Sequence, residues 1–215
     1  MRPDDSRLCA RFVSALPITG AAVSVFGGMV PETSICASDV MAARLDEMQF
    51  DLGEGPRWDS ASSRLPVHET HVQHSTHQNW PMFGAALKQT EVAALFVYPL
   101  SVAALDVGVV ELYSLRPGPL SARDNAIAQA LASETAWTLL DHLLSMQEAA
   151  RTTEPRDNAP LSRREIHQAT GMVLVQLGSN ATEALLVMRA HAFSHDKSLR
   201  DVAGDVVERR LVFAA

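Results

Sequence analysis

The residues best equipped for chemistry fall into two groups. His68, His71, His74 and His77 recur at strict three-residue intervals, and neutral imidazoles so spaced are able to share a metal. An unbroken three-residue step drifts around a helix, however, the segment is poor in helix-favouring residues, and no cysteine accompanies it. The quartet therefore reads as a solvated surface loop, and no metal is expected. The second group lies near the end of the chain: Arg163, Arg164, His167, Arg189, Lys197 and Arg200, interleaved with Thr170, Gly171 and Ser198. Arginine offers a planar fork that suits phosphate and base edges and stacks on splayed bases, so this set has the chemistry of a nucleic-acid contact. Arg163, Arg164 and His167 fall on the first turns of one helix, Gly171 lets an RNA backbone approach, and Lys197 and Ser198 open a helix whose free N–H groups favour phosphate. The plainer alternative is a solvated helical face.

Catalysis has little support. There is no Gly-rich phosphate loop, no H-E-x-x-H and no G-x-S-x-G elbow, and nothing fixes Ser, His and Asp near one another. No enzyme activity and no cofactor are expected.

Three short helices must position the basic set, and each has its own start signal. Ser162 with Glu165 forms an S-x-x-E capping box, Asn180 with Glu183 repeats the device, and Ser198 with Asp201 is a weaker copy because Asp is shorter. Gly178 is placed to stop the first helix. Ile166, Ala169, Val173 and Leu177 share one helical face; Leu185, Met188 and Ala192 share a second; Leu199, Val202, Ala203 and Val206 share a third, in a helix expected to run to Leu211. These faces close on a common core, yet a bundle this small is marginally stable alone.

The runs Arg164-Glu165-Ile166-His167-Gln168-Ala169-Thr170-Gly171-Met172-Val173, Glu183-Ala184-Leu185-Leu186-Val187-Met188-Arg189 and Ser198-Leu199-Arg200-Asp201-Val202-Ala203 together resemble an ANTAR domain over 161–211. The resemblance implies an RNA-binding output module that stabilises an antiterminator hairpin in a nascent transcript and so suppresses termination. Many members carry Lys where this chain has Thr170.

The formal net charge of −7 argues at first against nucleic acid, but it is unevenly spread. Residues 1–160 carry −8 and residues 161–215 carry +1, so RNA affinity must come from shaped contacts and gain from doubling in a dimer. No apolar run approaches the roughly eighteen residues of a membrane span, and the N-terminus lacks a signal layout. Cys9 and Cys36 are too few for a disulfide framework, which fits a reducing cytoplasm.

Upstream, Ser6 to Leu16 reads as a helix, Ala21 to Val25 as a buried strand followed by a Gly27-Gly28 turn, and Thr33 to Ala37 as its hairpin partner. Asp39 caps a helix through Met41, Leu45 and Met48, and Gly53-Glu54-Gly55-Pro56 is a turn into a helical segment near Trp58. Leu65-Pro66-Val67 is a short edge strand, Trp80 opens a helix, and Val92 to Val102 and Val107 to Leu115 are paired central strands. Gly-Glu-Gly-Pro, Trp-Pro-x-Phe, Tyr-Pro-Leu and Gly-Val-Val-Glu-Leu-Tyr in this order resemble a GAF domain over about 10–135. That resemblance implies an antiparallel sheet with a ligand cavity on one side. It makes Glu54, Trp58, Trp80 and Tyr98 candidate contacts for an unknown small molecule, although large aromatics are more often plain core. Relatives often carry Cys where this chain has Arg57.

A long helix from Ser121 to about Ala150 presents Ile127, Leu131, Trp137, Leu140 and Leu144 at near-heptad spacing, suited to a dimer seam. The expected organisation is α+β: a GAF-like sensor over 6–150, a proline-containing linker over 151–160 and an ANTAR bundle over 161–211. The function expected is a cytoplasmic, signal-responsive antitermination regulator, a homodimer that binds leader-transcript hairpins. A DNA-binding regulator and a protein-interaction module are the alternatives. Asp201, Asp205 and Glu208 on the third helix make a poor major-groove face.

Overall fold

The protein is represented by a computed structural model that describes residues 5–26, 32–152 and 161–213. The Gly27-Gly28 turn and residues 153–160 of the expected linker lie outside them. The chain divides into two compact units, Met1–Asn158 and Ala159–Ala215.

The first unit is built on an antiparallel sheet of β1 (Gly20–Val25), β2 (Thr33–Ala37), β3 (Val67–Glu69), β4 (Ala94–Val102) and β5 (Leu105–Ser114) in the order β2-β1-β5-β4-β3. Helices cover both faces, which is why the central strands read as nearly unbroken apolar runs. On one face, α1 (Asp5–Ala15) and α5 (Ala122–Thr152) pack Phe12, Ala128, Ala132 and Leu140 onto Val23, Phe96, Tyr98 and Leu112. On the other, α2 (Val40–Leu52) and α4 (Pro81–Leu87) pack Leu45, Phe83 and Leu87 onto Leu95, Val97, Val109 and Tyr113. A short helix, α3 (Pro56–Ser63), follows the Gly-Glu-Gly-Pro turn, where Gly53 takes a left-handed φ of 67° to end α2. Asp39 caps α2 by accepting the Ala42 N–H at 2.9 Å.

Two expectations change here. Cys9 and Cys36 are joined in a disulfide that ties α1 to the edge strand β2 and closes a separation of 27 residues. The apolar stripe of α5 is also divided. An alanine ridge (Ala128, Ala132, Ala136) lets the helix lie close on the sheet, with Ile127, Leu131 and Leu140 packed against the core. Trp137 and Leu144 point outward instead, 61% and 50% exposed.

The second unit holds α6 (Leu161–Leu177), α7 (Ala181–Ser194) and α8 (Leu199–Val207). Its buried apolar residues are Ile166, Ala169 and Val173 from α6, Ala184, Met188 and Ala192 from α7, and Leu199, Val202, Ala203 and Val206 from α8. In α7 the inward register uses Ala184, leaving Leu185 half-buried. Ser198 and Asp201, expected to cap weakly, form a complete capping box with both reciprocal bonds. Asn180 accepts the Glu183 N–H at 3.0 Å, Gly178 closes α6 with φ 62°, and Ser162 already lies within α6. Helix α8 stops at Val207 rather than Leu211. Arg209 is left-handed (φ 59°), and the Arg210 and Leu211 N–H groups both return to the Asp205 carbonyl.

Candidate nucleic-acid interface

The nine residues of the basic set do not share one environment. Thr170 is buried, because its hydroxyl donates to the Ile166 carbonyl at 2.7 Å and lies 3.8 Å from the Met188 sulfur, so it joins α6 to α7. Arg163 is buried as well. Arg164 and His167 are half-buried and align with exposed Gly171 along one outward line of α6, three and four residues apart. Arg189 is half-buried on α7, whereas Lys197, Ser198 and Arg200 are exposed at the start of α8.

Gly171 stands out on physical grounds. Its backbone is helical, and a Cβ built there meets nothing within 4 Å. A glycine inside a helix costs roughly 0.5–1 kcal/mol relative to alanine. Packing within the unit gives no reason for that cost, and Gly204 of α8 is in the same position.

The charges around α8 are organised by Asp205. Its carboxylate receives Lys197 Nζ and Arg210 Nε, each at 2.8 Å, and these bonds hold it below the usual carboxylate range. Beside it, the rings of His191 and His195 stack with centroids 4.0 Å apart, and Phe213 meets His191 edge-on at 5.3 Å. Desolvation first, then the neighbouring His195 and Lys197, push the His191 imidazole below its ordinary range. Sequence reasoning missed this cluster. The i, i+4 spacing of His191 and His195 was its available signal.

In the first unit the four candidate ligand residues each have a local partner and do not converge. Glu54 accepts the Phe83 N–H at the start of α4, Trp58 donates to the Gln49 carbonyl at 3.3 Å, and Trp80 donates to Asp59 at 2.9 Å. Tyr98 lies on the opposite face of the sheet from Trp80, with its hydroxyl donating to Asn125 at 2.8 Å and burial pushing it well above its ordinary value. The four histidines are likewise separated by role. His68, His71 and His74 are exposed, as expected, although His68 on β3 lays its ring against Phe96 and Tyr98 and desolvation lowers its pKa. His77, expected at the surface, is buried with a left-handed φ of 49°, its Nε2 donating to the Val72 carbonyl at 2.8 Å and its ring seated on Gly84. Among the described residues, no group of three or more His, Cys, Asp or Glu is placed to hold a metal ion.

The strongest electrostatic feature was also missed. Arg57 is completely buried and binds Asp46 Oδ1 at 2.8 Å, the Asp46 carbonyl at 3.0 Å and Glu32 at 2.9 Å, with Glu111 at 3.5 Å. Its guanidinium lies over the Phe26 and Trp58 rings, and although desolvation opposes its charge, the surrounding carboxylates raise its pKa above the ordinary arginine value. Glu111, a carboxylate within the apolar Val107–Ser114 run, was the legible hint.

The model of the ANTAR domain family matches residues 157–207. No curated protein matches the chain in sequence. Solved structures resemble the first unit in fold. The GAF domain of a phosphoenolpyruvate-protein phosphotransferase from Coxiella burnetii has a TM-score of 0.54 at 12% identity, covering 66% of this chain and 83% of its own. A GAF domain in its photoproduct state from Synechocystis sp. PCC6803 scores 0.51 at 17% identity, over 70% of this chain and 98% of its own. The GAF domain of a two-component sensor histidine kinase from Bacillus halodurans scores 0.50 at 12% identity, over 67% and 98%. At such identities the likeness is one of fold alone. An α+β unit of GAF fold followed by an ANTAR domain at 157–207 gives this chain a GAF–ANTAR architecture.

Proposed function

We propose that this chain is a signal-responsive regulator that binds hairpin loops in nascent leader transcripts through its second unit and suppresses termination. The observation that carries the reading is Gly171, an exposed mid-helix glycine with open space around it, in line with Arg164 and His167 and within the ANTAR match. A backbone that must come close to another backbone is the physical use of such a glycine. Arg164, His167, Gly171, Lys197, Ser198 and Arg200 form the outward contact set. Thr170 and Arg163, being buried, serve to hold the helices that present them.

The regulator acts as a cytoplasmic homodimer with a sensor over 6–150, a linker over 151–160 and an RNA-binding bundle over 161–211. The outward Trp137 and Leu144 of α5 offer the dimer contact, and a bivalent bundle pair gains affinity for paired hairpins through effective concentration. Trp137→Glu is expected to yield a monomer with an intact sheet, seen by light scattering and circular dichroism; an unchanged dimer refutes the seam.

Equilibrium binding of the full-length chain to twin-hairpin RNA, single-hairpin RNA and duplex DNA at two salt concentrations tests the function. Tighter, salt-resistant binding to the twin hairpin is expected. Equal and steeply salt-dependent binding to all three reduces the surface to non-specific phosphate contact.

A further inference from the structure

We propose that the His191–His195 stack, edged by Phe213 and flanked by Lys197, is a platform on which one unpaired RNA base stacks while Lys197 takes the adjoining phosphate. This rests on the RNA-binding reading and adds residues from the α7 end and the C-terminal tail to the contact set.

The rings form a fixed shelf. Their centroids are 4.0 Å apart with planes 18° from parallel. His195 Nδ1 lies 2.9 Å from the His191 carbonyl, which only accepts, so Nδ1 carries a proton and the ring plane is set. Ser194 Oγ, also 2.9 Å away, supports the same nitrogen. Behind the stack, Phe213 is anchored by its N–H, which donates to Gln176 Oε1 at 3.0 Å, and its ring meets His191 at 85°. His195 is nevertheless exposed and His191 only half-buried, so an ordered aromatic surface faces solvent.

Two properties suit that surface to a base. Sequence-tolerant recognition of splayed bases relies on aromatic faces, histidine among them, held beside a cation that tracks the backbone. The electrostatics of His191 agree: desolvation, His195 and Lys197 disfavour its charged form against the pull of Asp205, which favours a flat, uncharged ring behind the stacking face. The cations are in place too. Arg210 pairs with both Asp205 and Glu208, so Asp205 keeps a second cation when exposed Lys197 turns to an arriving phosphate.

The test uses the full-length chain and hairpin RNAs carrying 2-aminopurine at each unpaired position in turn, with a fully paired RNA duplex as control. One loop position is expected to show quenched fluorescence on binding. His195→Ala is expected to abolish that quench and weaken hairpin binding about fivefold or more, the low end for one stacked base. His195→Phe keeps both, and neither variant alters binding to the duplex. Lys197→Ala lowers the salt dependence of binding while the quench persists. If wild type binds the hairpin and the quench survives in His195→Ala, or His195→Phe behaves like His195→Ala, the platform is wrong while the wider RNA reading stands. If wild type binds no hairpin, both are overturned.

Discussion

Gly171→Ala separates stability from recognition in a single substitution. The residue is helical, its φ is outside the left-handed region, and the added methyl would find nothing within 4 Å. Relief of backbone entropy should therefore stabilise the second unit by about 0.5–1 kcal/mol. For a unit of this size that corresponds to a rise of about 2–8 °C in Tm. If RNA packs against this turn, the same methyl keeps the two backbones apart, and a tenfold loss of affinity, about 1.4 kcal/mol, is expected. Thermal unfolding of the full chain by far-ultraviolet circular dichroism reads the first effect, and equilibrium binding to hairpin RNA reads the second. Opposite signs exclude unfolding as the cause of lost binding. A variant that is more stable and binds RNA as tightly as wild type would refute the placement of RNA on the outer line of α6. One that is less stable would refute the open-space geometry itself. Gly204→Ala should show the same stabilisation, since its Cβ also meets nothing within 4 Å.

Arg57→Met leaves Asp46, Glu111 and Glu32 facing one another without their cation, and removing one partner of a buried ion pair costs about 3–5 kcal/mol. Urea unfolding of the first unit measures it, and a loss under about 1 kcal/mol would contradict the buried network. Replacing Cys9 and Cys36 by alanine, or reducing the disulfide, should lower stability by about 2–4 kcal/mol. Mass spectrometry after alkylation under native conditions distinguishes the bonded pair from two thiols, the state a reducing compartment favours. Stability should also fall as pH drops through about 6.5. His68 and His191 are both held below their ordinary range when folded, so the unfolded chain binds more protons in that window and acid favours unfolding. The lowered carboxyls of Asp39 and Asp205 act only further down, as pH falls through and below the ordinary aspartate value of about 3.9. Denaturant midpoints at pH 7.0 and 5.5 (about half a unit above and one below the ordinary histidine value) should differ less in a His68→Phe, His191→Gln variant than in wild type; an equal difference assigns the effect to other groups.

What could be read in the sequence follows from how local each signal is. Caps and periodicity act over three or four residues, so Asn180, Ser198 and Gly178 marked helix boundaries that the structure retains. Paired strands were visible because both sheet faces are covered, and continuous apolar runs leave few alternatives. The errors arose where the deciding partner is distant in sequence. Cys9 meets Cys36 through the packing of α1 on β2, a pairing that a count of two cysteines could not place. Trp137 and Leu140 belong to one stripe by spacing, yet only the position of the sheet beneath α5 decides which is buried. Arg57 is the extreme case. A charged residue after a Gly-Pro turn suggests the surface by type, but Asp46 is eleven residues away and Glu111 lies on a central strand. Three carboxylates and two aromatic rings assembled from separate elements make a fully buried guanidinium tolerable. The candidate RNA surface divides along the same line. Arg164, His167 and Gly171 could be aligned from their spacing on one helix, whereas the inward turn of Thr170 required Met188 of α7. The His191 stack needed Phe213 from the tail, anchored to Gln176 of α6. Chemistry confined to one turn of helix is written in order along the chain, and chemistry that depends on tertiary packing is not.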